Sequence, residues 1–168
     1  MTTKKFTRIA MIAAVYTAVT LALAQLSYGS LQVRISEALT MLPLIYEPSI
    51  WGVTLGCFLA NLIGAMTGVN PTGYIDAIIG TAATLGAAWC TWKLRNRLAG
   101  KLPLAAMAMP AVWNFFFVGA ELAVLYMPNA IILGTLINGA WVALGEVIAV
   151  IPGYFLAKAL DRTNIFKD

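Results

Sequence analysis

The sequence contains no histidine, and only 11% of its 168 residues are charged. Without histidine the chain lacks the commonest general base and the commonest metal ligand of proteins, which excludes Ser–His catalysis and histidine-based metal sites. It also lacks a GxxxxGK[ST] motif, because residues 68–74 carry tyrosine where a P-loop needs lysine. We therefore expect no enzyme activity, no metal, no cofactor and no ATP hydrolysis by this chain.

The residues that are present are mostly apolar, at 61% of the chain. A membrane-spanning helix needs about 20 apolar residues, so the chain has room for about six spans and none for a soluble domain. We expect one all-α integral membrane domain over residues 1–168. The net charge of +4 then reflects membrane topology and does not predict nucleic-acid binding. Cys57 and Cys90 lie in apolar runs and are expected to be small buried residues.

Hydrophobic runs and helix breakers predict six transmembrane segments, at about residues 7–26, 33–47, 49–66, 74–93, 102–127 and 130–160. Asn129 is the expected N-cap of the last segment. The second segment is a weak span, because about 15 residues give only about 22 Å of helix. Residues 22–24 resemble a signal-peptidase site, but the first run is long enough to span, so we expect it to be retained.

The distribution of basic residues favours a crossing by the weak second segment. With six crossings and a cytoplasmic N-terminus, ten of the eleven Lys and Arg residues lie inside, and Arg34 is the one cation outside. If the second segment did not cross, the basic stretch 93–101 would move outside and break the positive-inside rule. We therefore predict a cell-membrane protein with both termini in the cytoplasm.

Four acidic residues lie in or at the edges of these segments: Glu37, Asp76, Glu121 and Glu146. Ionisable groups there are costly and usually face a cavity or a partner. Glu37 and Asp76 have a structural alternative, since both lie near a predicted helix N-terminus and Ser36 is a candidate N-cap. Glu121 lies near a helix C-terminus, where an anion is disfavoured, so we assign it to substrate binding. Glu146 is equally compatible with a structural hydrogen bond between helices.

Amides and indoles occur on the same helices as these acids. Asn114 shares a helix face with Glu121, and Trp113 adjoins that face. On the last helix, Asn138 and Trp141 are three residues apart and share a face. Carboxylates, amides and aromatic rings together suit a flat, nitrogen-rich heterocycle. The alternative is that both tryptophans only pack against other helices.

A stripe of small residues recurs every four positions on the first helix, at Ala10, Ala14, Ala18 and Ala22. Such a stripe lets a second helix approach closely. From the pattern alone, that second helix is either inside this bundle or part of another protein.

The stretch RISEAL, residues 34–39, followed by Leu42 and Pro43, resembles the queuosine-precursor transporter family. Its members are substrate-binding S-components of energy-coupling factor (ECF) transporters. The resemblance implies uptake of a 7-deazaguanine, foremost the 7-aminomethyl form. It also implies three partners, namely a transmembrane coupling subunit, on which Ala10, Ala14 and Ala18 would dock, and two cytoplasmic ATPases.

The resemblance also places Arg34 and Glu37 beside a loop that closes over substrate in this family. Two interpretations follow: the two residues pair with each other as a latch, or Glu37 contacts the ligand. Two functional alternatives also stay open. One is a stand-alone ion-coupled transporter or channel for a small polar heterocycle, and the other is an S-component for thiamin, biotin or riboflavin.

Overall fold

The computed structural model describes residues 2–28 and 33–166, which form helices joined by short turns. Residues 29–32, expected to belong to the loop that closes over substrate, and Lys167, an expected cytoplasmic cation, lie outside the described residues. The helices, in chain order, are α1 Thr3–Ala22, α2 Ala24–Ser27, a 3-10 helix Ile35–Leu44, α3 Ser49–Thr67, α4 Tyr74–Leu94, α5 Leu104–Met107, α6 Met109–Tyr126, a short 3-10 turn Pro128–Ala130 and α7 Ile131–Arg162. The two described ranges contain no β-strand, which confirms the all-helical prediction.

Four helical stretches are long and apolar enough to cross a membrane: Thr3–Ala22, Ser49–Thr67, Leu104–Tyr126 and Pro128–Arg162. The helix α4 is of similar length, at 21 residues, but does not reach the same apolar character. The chain is therefore a multi-pass membrane protein by the length and composition of its helices.

The second predicted segment differs from a regular α-helix. It forms the 3-10 helix Ile35–Leu44, whose ten residues extend about 20 Å at about 2 Å per residue. Pro43 lies inside it and donates no backbone hydrogen bond, which disfavours a longer α-helix. The expected cap at Ser36 is wrong, because Arg34 occupies the N-cap position and Ser36 lies inside the helix with its hydroxyl 2.6 Å from that of Thr20. The expected cap at Asn129 is also wrong, since Ala130 occupies the N-cap of α7 without a side-chain bond.

Close helix packing depends on glycines where the bundle has least room. A Cβ atom on Gly119 of α6 would lie 2.7 Å from the Cα of Gly139 on α7, so these two backbones touch. A Cβ atom on Gly153 would overlap the backbone of Ala38, which shows how tightly the 3-10 helix lies on α7. The largest core cluster joins α1 to α3, with Ile12 and Val53 among its members.

The antiparallel order of α3, α4, α6 and α7 brings several polar residues to one end of the bundle. At this end α3 turns into α4 through residues 68–73, and α6 turns into α7 through residues 127–130. We call it the α3–α4 end. Asp76 in the first turn of α4 and Glu121 near the last turn of α6 both lie there.

Candidate ligand-binding site and docking face

A buried ion pair joins the start of the 3-10 helix to the start of α4. The Arg34 Nη2 atom donates to the Asp76 Oδ2 atom at 2.6 Å, and both side chains are almost fully buried. The Asn70 amide donates to the same oxygen at 2.9 Å, and the Asn61 amide donates to the Asp76 backbone oxygen at 3.0 Å. Asp76 is therefore held by a specific cation and is not explained by the helix dipole alone.

Tyr28, just after α2, supports this ion pair from the other side. The Arg34 guanidinium lies 5.2 Å from the centre of the Tyr28 ring, a cation–π distance. The Tyr28 hydroxyl donates to the Ala60 carbonyl at 2.9 Å. Burial raises the pKa of Tyr28 to about 12, so this hydroxyl keeps its proton and remains a donor.

Glu37 is buried and accepts a hydrogen bond from the Tyr16 hydroxyl of α1. The interpretation of Arg34 and Glu37 as a mutual latch is therefore wrong. Arg34 precedes the 3-10 helix with an extended backbone and reaches α4, whereas Glu37 lies one turn further along and meets α1. Direct contact between Glu37 and a ligand stays a prediction.

Glu146 and Asn114 connect α7 to α6. The Asn114 amide donates to the Glu146 Oε1 atom at 2.9 Å, and both residues are buried. The second oxygen of Glu146 has no hydrogen-bond partner among the described residues. The helix-to-helix hydrogen bond expected as one alternative for Glu146 is present, and Asn114 points at α7 in making it.

Glu121 differs from the other three acids. Its side chain is only 6% exposed, yet neither carboxylate oxygen has a partner in the part of the chain that the structure describes. It lies in a groove of about 480 Å³ between α4 and α6. The groove is lined by Ile75, Ile79, Phe116, Phe117, Ala120, Glu121, Val124 and Leu125. Both carboxylate oxygens are shielded from the groove, so contact between Glu121 and a ligand stays a prediction.

The remaining predicted site residues lie at different distances from this groove. Trp113 is half-buried, faces Gly86 of α4 and stacks on the groove residue Phe117 with ring centres 5.2 Å apart. The Asn138 amide donates to the Gly134 carbonyl of its own helix at 2.8 Å. Trp141 is 49% exposed and does not line the groove. Trp113 therefore contacts a groove residue without lining the groove itself, and the binding roles of Trp113, Asn138 and Trp141 stay predictions.

The alanine stripe lies on an open face of α1. Ala10, Ala14, Ala18 and Ala22 are all exposed, whereas the opposite face of α1, which includes Ile12 and Tyr16, is buried against the bundle. The alternative that the stripe packs inside this bundle is therefore wrong for the described chain.

Sequence reasoning missed Tyr16, Tyr28 and Asn70 as partners of the charged residues. One signal was present for Tyr16, which shares the face of α1 that also carries Thr17 and Thr20. A tyrosine and two threonines on one face of a spanning helix indicate polar partners elsewhere in the bundle. Asn70 carried no comparable signal, since an Asn-Pro pair is already explained by a turn.

These features define a class: a multi-pass helical membrane protein with a buried polar network and a groove of the size that small ligands occupy. A family model described as "QueT transporter" matches residues 6–162, so the chain belongs to the QueT transporter family. The resemblance based on residues 34–39 is thereby confirmed.

One relative, the "Queuosine precursor transporter QueT" of Lactococcus lactis subsp. cremoris (strain MG1363), is 33% identical over 79 residues. The match covers 46% of this chain and 43% of that relative. No solved structure matches the chain significantly.

Proposed function

We propose that this chain is the membrane-embedded substrate-binding subunit of an ATP-driven ECF-type importer that captures a queuosine precursor from outside the cell. The observation that carries the proposal is the family match over residues 6–162. Its sequence contains no P-loop for nucleotide, so the chain itself does not hydrolyse ATP, and in this proposal a coupling subunit and two cytoplasmic ATPases supply the energy for uptake.

The proposed topology has six crossings with both termini in the cytoplasm. The 3-10 helix and α4 then supply the two crossings beyond the four long apolar stretches. This arrangement keeps the basic stretch 93–101 inside, in agreement with the positive-inside rule. It puts the α3–α4 end, with Arg34, Asp76 and Glu121, on the outer side, where substrate arrives.

The open alanine face of α1 is the proposed docking surface for the coupling subunit. Ala10, Ala14 and Ala18 present only methyl groups, so a helix of another protein can approach the α1 backbone closely. The ligand groove lies between α4 and α6, and its lining contains no residue of α1. Docking and ligand capture therefore use separate parts of the chain in this proposal.

The proposed ligand is 7-aminomethyl-7-deazaguanine or a close relative. Its ring is flat, its guanine edge carries neighbouring N–H donors, and its aminomethyl group is a cation at neutral pH. Carboxylates are the natural acceptors for both kinds of group, and an aromatic wall suits the ring. The groove volume of about 480 Å³ falls in the range of small-ligand sites.

Reconstitution of the purified chain in liposomes tests the proposal. We expect labelled 7-aminomethyl-7-deazaguanine to be retained at about one molecule per protein, with no accumulation in the lumen, whether or not an ion gradient is imposed. Co-reconstitution with the coupling subunit and ATPases should give ATP-dependent accumulation. Protein-free liposomes serve as the control for passive entry.

Two results would refute the proposal. Accumulation over many turnovers by the chain alone would establish an ion-coupled transporter. Mass spectrometry of the purified protein that found a bound thiamin, biotin or riboflavin, with no competition by deazaguanines, would assign it to another vitamin.

A further inference from the structure

The basic stretch 93–101 lies at the other end of the bundle from the α3–α4 end and carries four cations: Lys93, Arg95, Arg97 and Lys101. The sequence contains no Asp or Glu between residues 77 and 120, so no carboxylate lies near these cations along the chain. In the part of the chain that the structure describes, none of the four forms an ion pair with an acid from another helix. The basic stretch therefore carries positive charge that neighbouring acids do not neutralise.

Two of these cations are held at one indole ring, that of Trp92 in the last turn of α4. The Lys93 ammonium lies 4.9 Å and the Arg95 guanidinium 4.5 Å from the centre of the Trp92 ring, both cation–π distances. The Arg95 guanidinium also donates to the Trp92 carbonyl at 2.7 Å. Two like charges held at one ring repel each other, and an anion whose oxygens contact both would remove that repulsion.

The rest of the basic stretch forms a fixed turn. Ala99 and Leu102 exchange two backbone hydrogen bonds, of 2.9 and 3.4 Å, around Gly100. Gly100 has a φ of 66°, a left-handed conformation that glycine adopts without steric cost. Behind the turn, the buried Thr91 hydroxyl donates to the Ala106 carbonyl at 3.1 Å and so ties α4 to α5. The cations are therefore carried by an ordered segment.

Exposed apolar side chains accompany the cations. Trp89, one turn before Lys93 on α4, is 52% exposed, and Leu98 in the turn is 61% exposed. The stretch leads into Leu104–Tyr126, which is long and apolar enough to cross a membrane. Cations beside exposed tryptophan and leucine are typical of a segment at the boundary between lipid headgroups and acyl chains. A soluble anion would account for the cations but would leave these apolar side chains without a partner.

We propose that the basic stretch binds the headgroup of an anionic phospholipid, such as phosphatidylglycerol, in the membrane leaflet at this end of the bundle. The lipid phosphate accepts hydrogen bonds from Lys93 and Arg95, while Trp89 and Leu98 contact the first part of the acyl chains. The other two cations of the stretch add to the attraction. The inference depends on the chain being a multi-pass membrane protein and is independent of the proposed substrate and partners.

Two lipids with the same acyl chains test the wild-type protein. Native mass spectrometry of the full chain in detergent, titrated with phosphatidylglycerol or phosphatidylcholine, counts the bound lipids and gives their affinities. We expect one phosphatidylglycerol to bind at least about tenfold more tightly than phosphatidylcholine. The preference should shrink when salt is raised to about 0.5 M, because exposed charges are screened. Equal affinities of the wild type for the two lipids overturn the inference.

A matched pair of variants separates a specific site from diffuse positive charge. Arg95→Gln removes one of the two cations at the Trp92 ring, and the preference for phosphatidylglycerol should fall below about threefold. Lys158→Gln removes one exposed cation from the same end of the bundle and should keep the wild-type preference. If the two variants lower the preference equally, the charge acts diffusely and the inference is overturned.

A third variant keeps every cation and changes only how two of them are held. Trp92→Leu removes the ring that Lys93 and Arg95 share, and the preference should fall at least about threefold. A folded Trp92→Leu protein with the wild-type preference overturns the inference. Trp92 also packs against the largest core cluster, so if this variant does not fold, Arg95→Gln and the wild-type comparison decide.

Two other occupants of this surface give different results. Displacement of bound phosphatidylglycerol by inorganic phosphate in excess would establish a site for soluble anions. If the wild type shows no lipid preference and Arg95→Gln loses co-purification with the coupling subunit, the surface belongs to a protein partner. Either result overturns the inference and leaves the proposed function standing.

Discussion

Arg34 and Asp76 form a buried ion pair between residues 42 positions apart in the chain. Arg34 immediately precedes the 3-10 helix, and Asp76 lies in the first turn of α4. The pair therefore connects a short, irregular element to a long, regular one at the α3–α4 end.

Breaking this pair from one side should be strongly destabilising. Asp76→Asn or Arg34→Met each leaves one buried charge without its partner, and we expect a loss of about 3–5 kcal/mol in the free energy of unfolding. The double variant should recover most of that loss, because neither charge remains. Unfolding by SDS titration in mixed micelles measures these values.

Arg97→Met, at an exposed position, is the control and should change stability by less than about 0.5 kcal/mol. Single variants as stable as the wild type would contradict the structural role of the pair.

The two buried tyrosines Tyr16 and Tyr46 give a matched test of the Glu37 contact. Tyr16→Phe removes the donor to Glu37 and leaves a buried carboxylate unsatisfied, which should cost about 1–3 kcal/mol. The Tyr46 hydroxyl is buried but has no hydrogen-bond partner among the described residues, so Tyr46→Phe should be neutral or stabilising. The same SDS titration compares the two. An equal effect of both substitutions would show that the Tyr16–Glu37 bond contributes nothing specific.

The exposed stripe on α1 predicts a separation of ligand binding from transport. Ala14→Leu puts a large side chain on the proposed docking face and should prevent close approach of a partner helix. The purified variant should bind ligand like the wild type, while uptake in cells and co-purification with the coupling subunit should fall at least tenfold. Val15→Leu, one residue off the stripe and also exposed, is the control. Normal assembly and uptake by Ala14→Leu would remove the stripe from the docking surface.

For two of the long helices, the sequence predicted the first and last residues to within one or two positions. The segments predicted at 49–66 and 74–93 are α3, Ser49–Thr67, and α4, Tyr74–Leu94. Apolar runs and the turn formers between them, including Gly68 in a left-handed conformation at the end of α3, are local signals. Local signals are read correctly because they need no knowledge of the rest of the bundle.

The partners of the charged residues did not follow from the sequence. Arg34 and Glu37 are three residues apart, and sequence proximity suggested that they pair with each other. Their actual partners, Asp76 and Tyr16, are 42 and 21 positions away. The 3-10 conformation, which the sequence did not predict, also changes the direction of each side chain along the second segment.

For Glu121, one property could be predicted from the sequence and another could not. Its position near the end of α6 was enough to predict that no helix dipole stabilises it. The apolar walls of its groove were not predicted, because Ile75 and Ile79 come from a helix some 40 residues earlier in the chain. Trp141 lies about half exposed, which the sequence did not predict. Its three-residue spacing from Asn138 fixes a shared helix face but not the direction in which that face points.

The short 3-10 helix has a consequence for biogenesis. At about 20 Å the 3-10 helix is shorter than a hydrocarbon core of about 30 Å, so the proposed crossing also needs the residues that flank it, and the helix is a poor substrate for insertion into the membrane on its own. Its charged end, Arg34, finds its counter-ion on α4, which the ribosome produces only after all of α3. In the proposed six-span topology we therefore expect the second segment to reach its final depth late, after α4 has entered the bilayer. Nascent chains arrested before residue 76 should leave the residues around Arg34 accessible to water-soluble labels, whereas chains that include α4 should protect them.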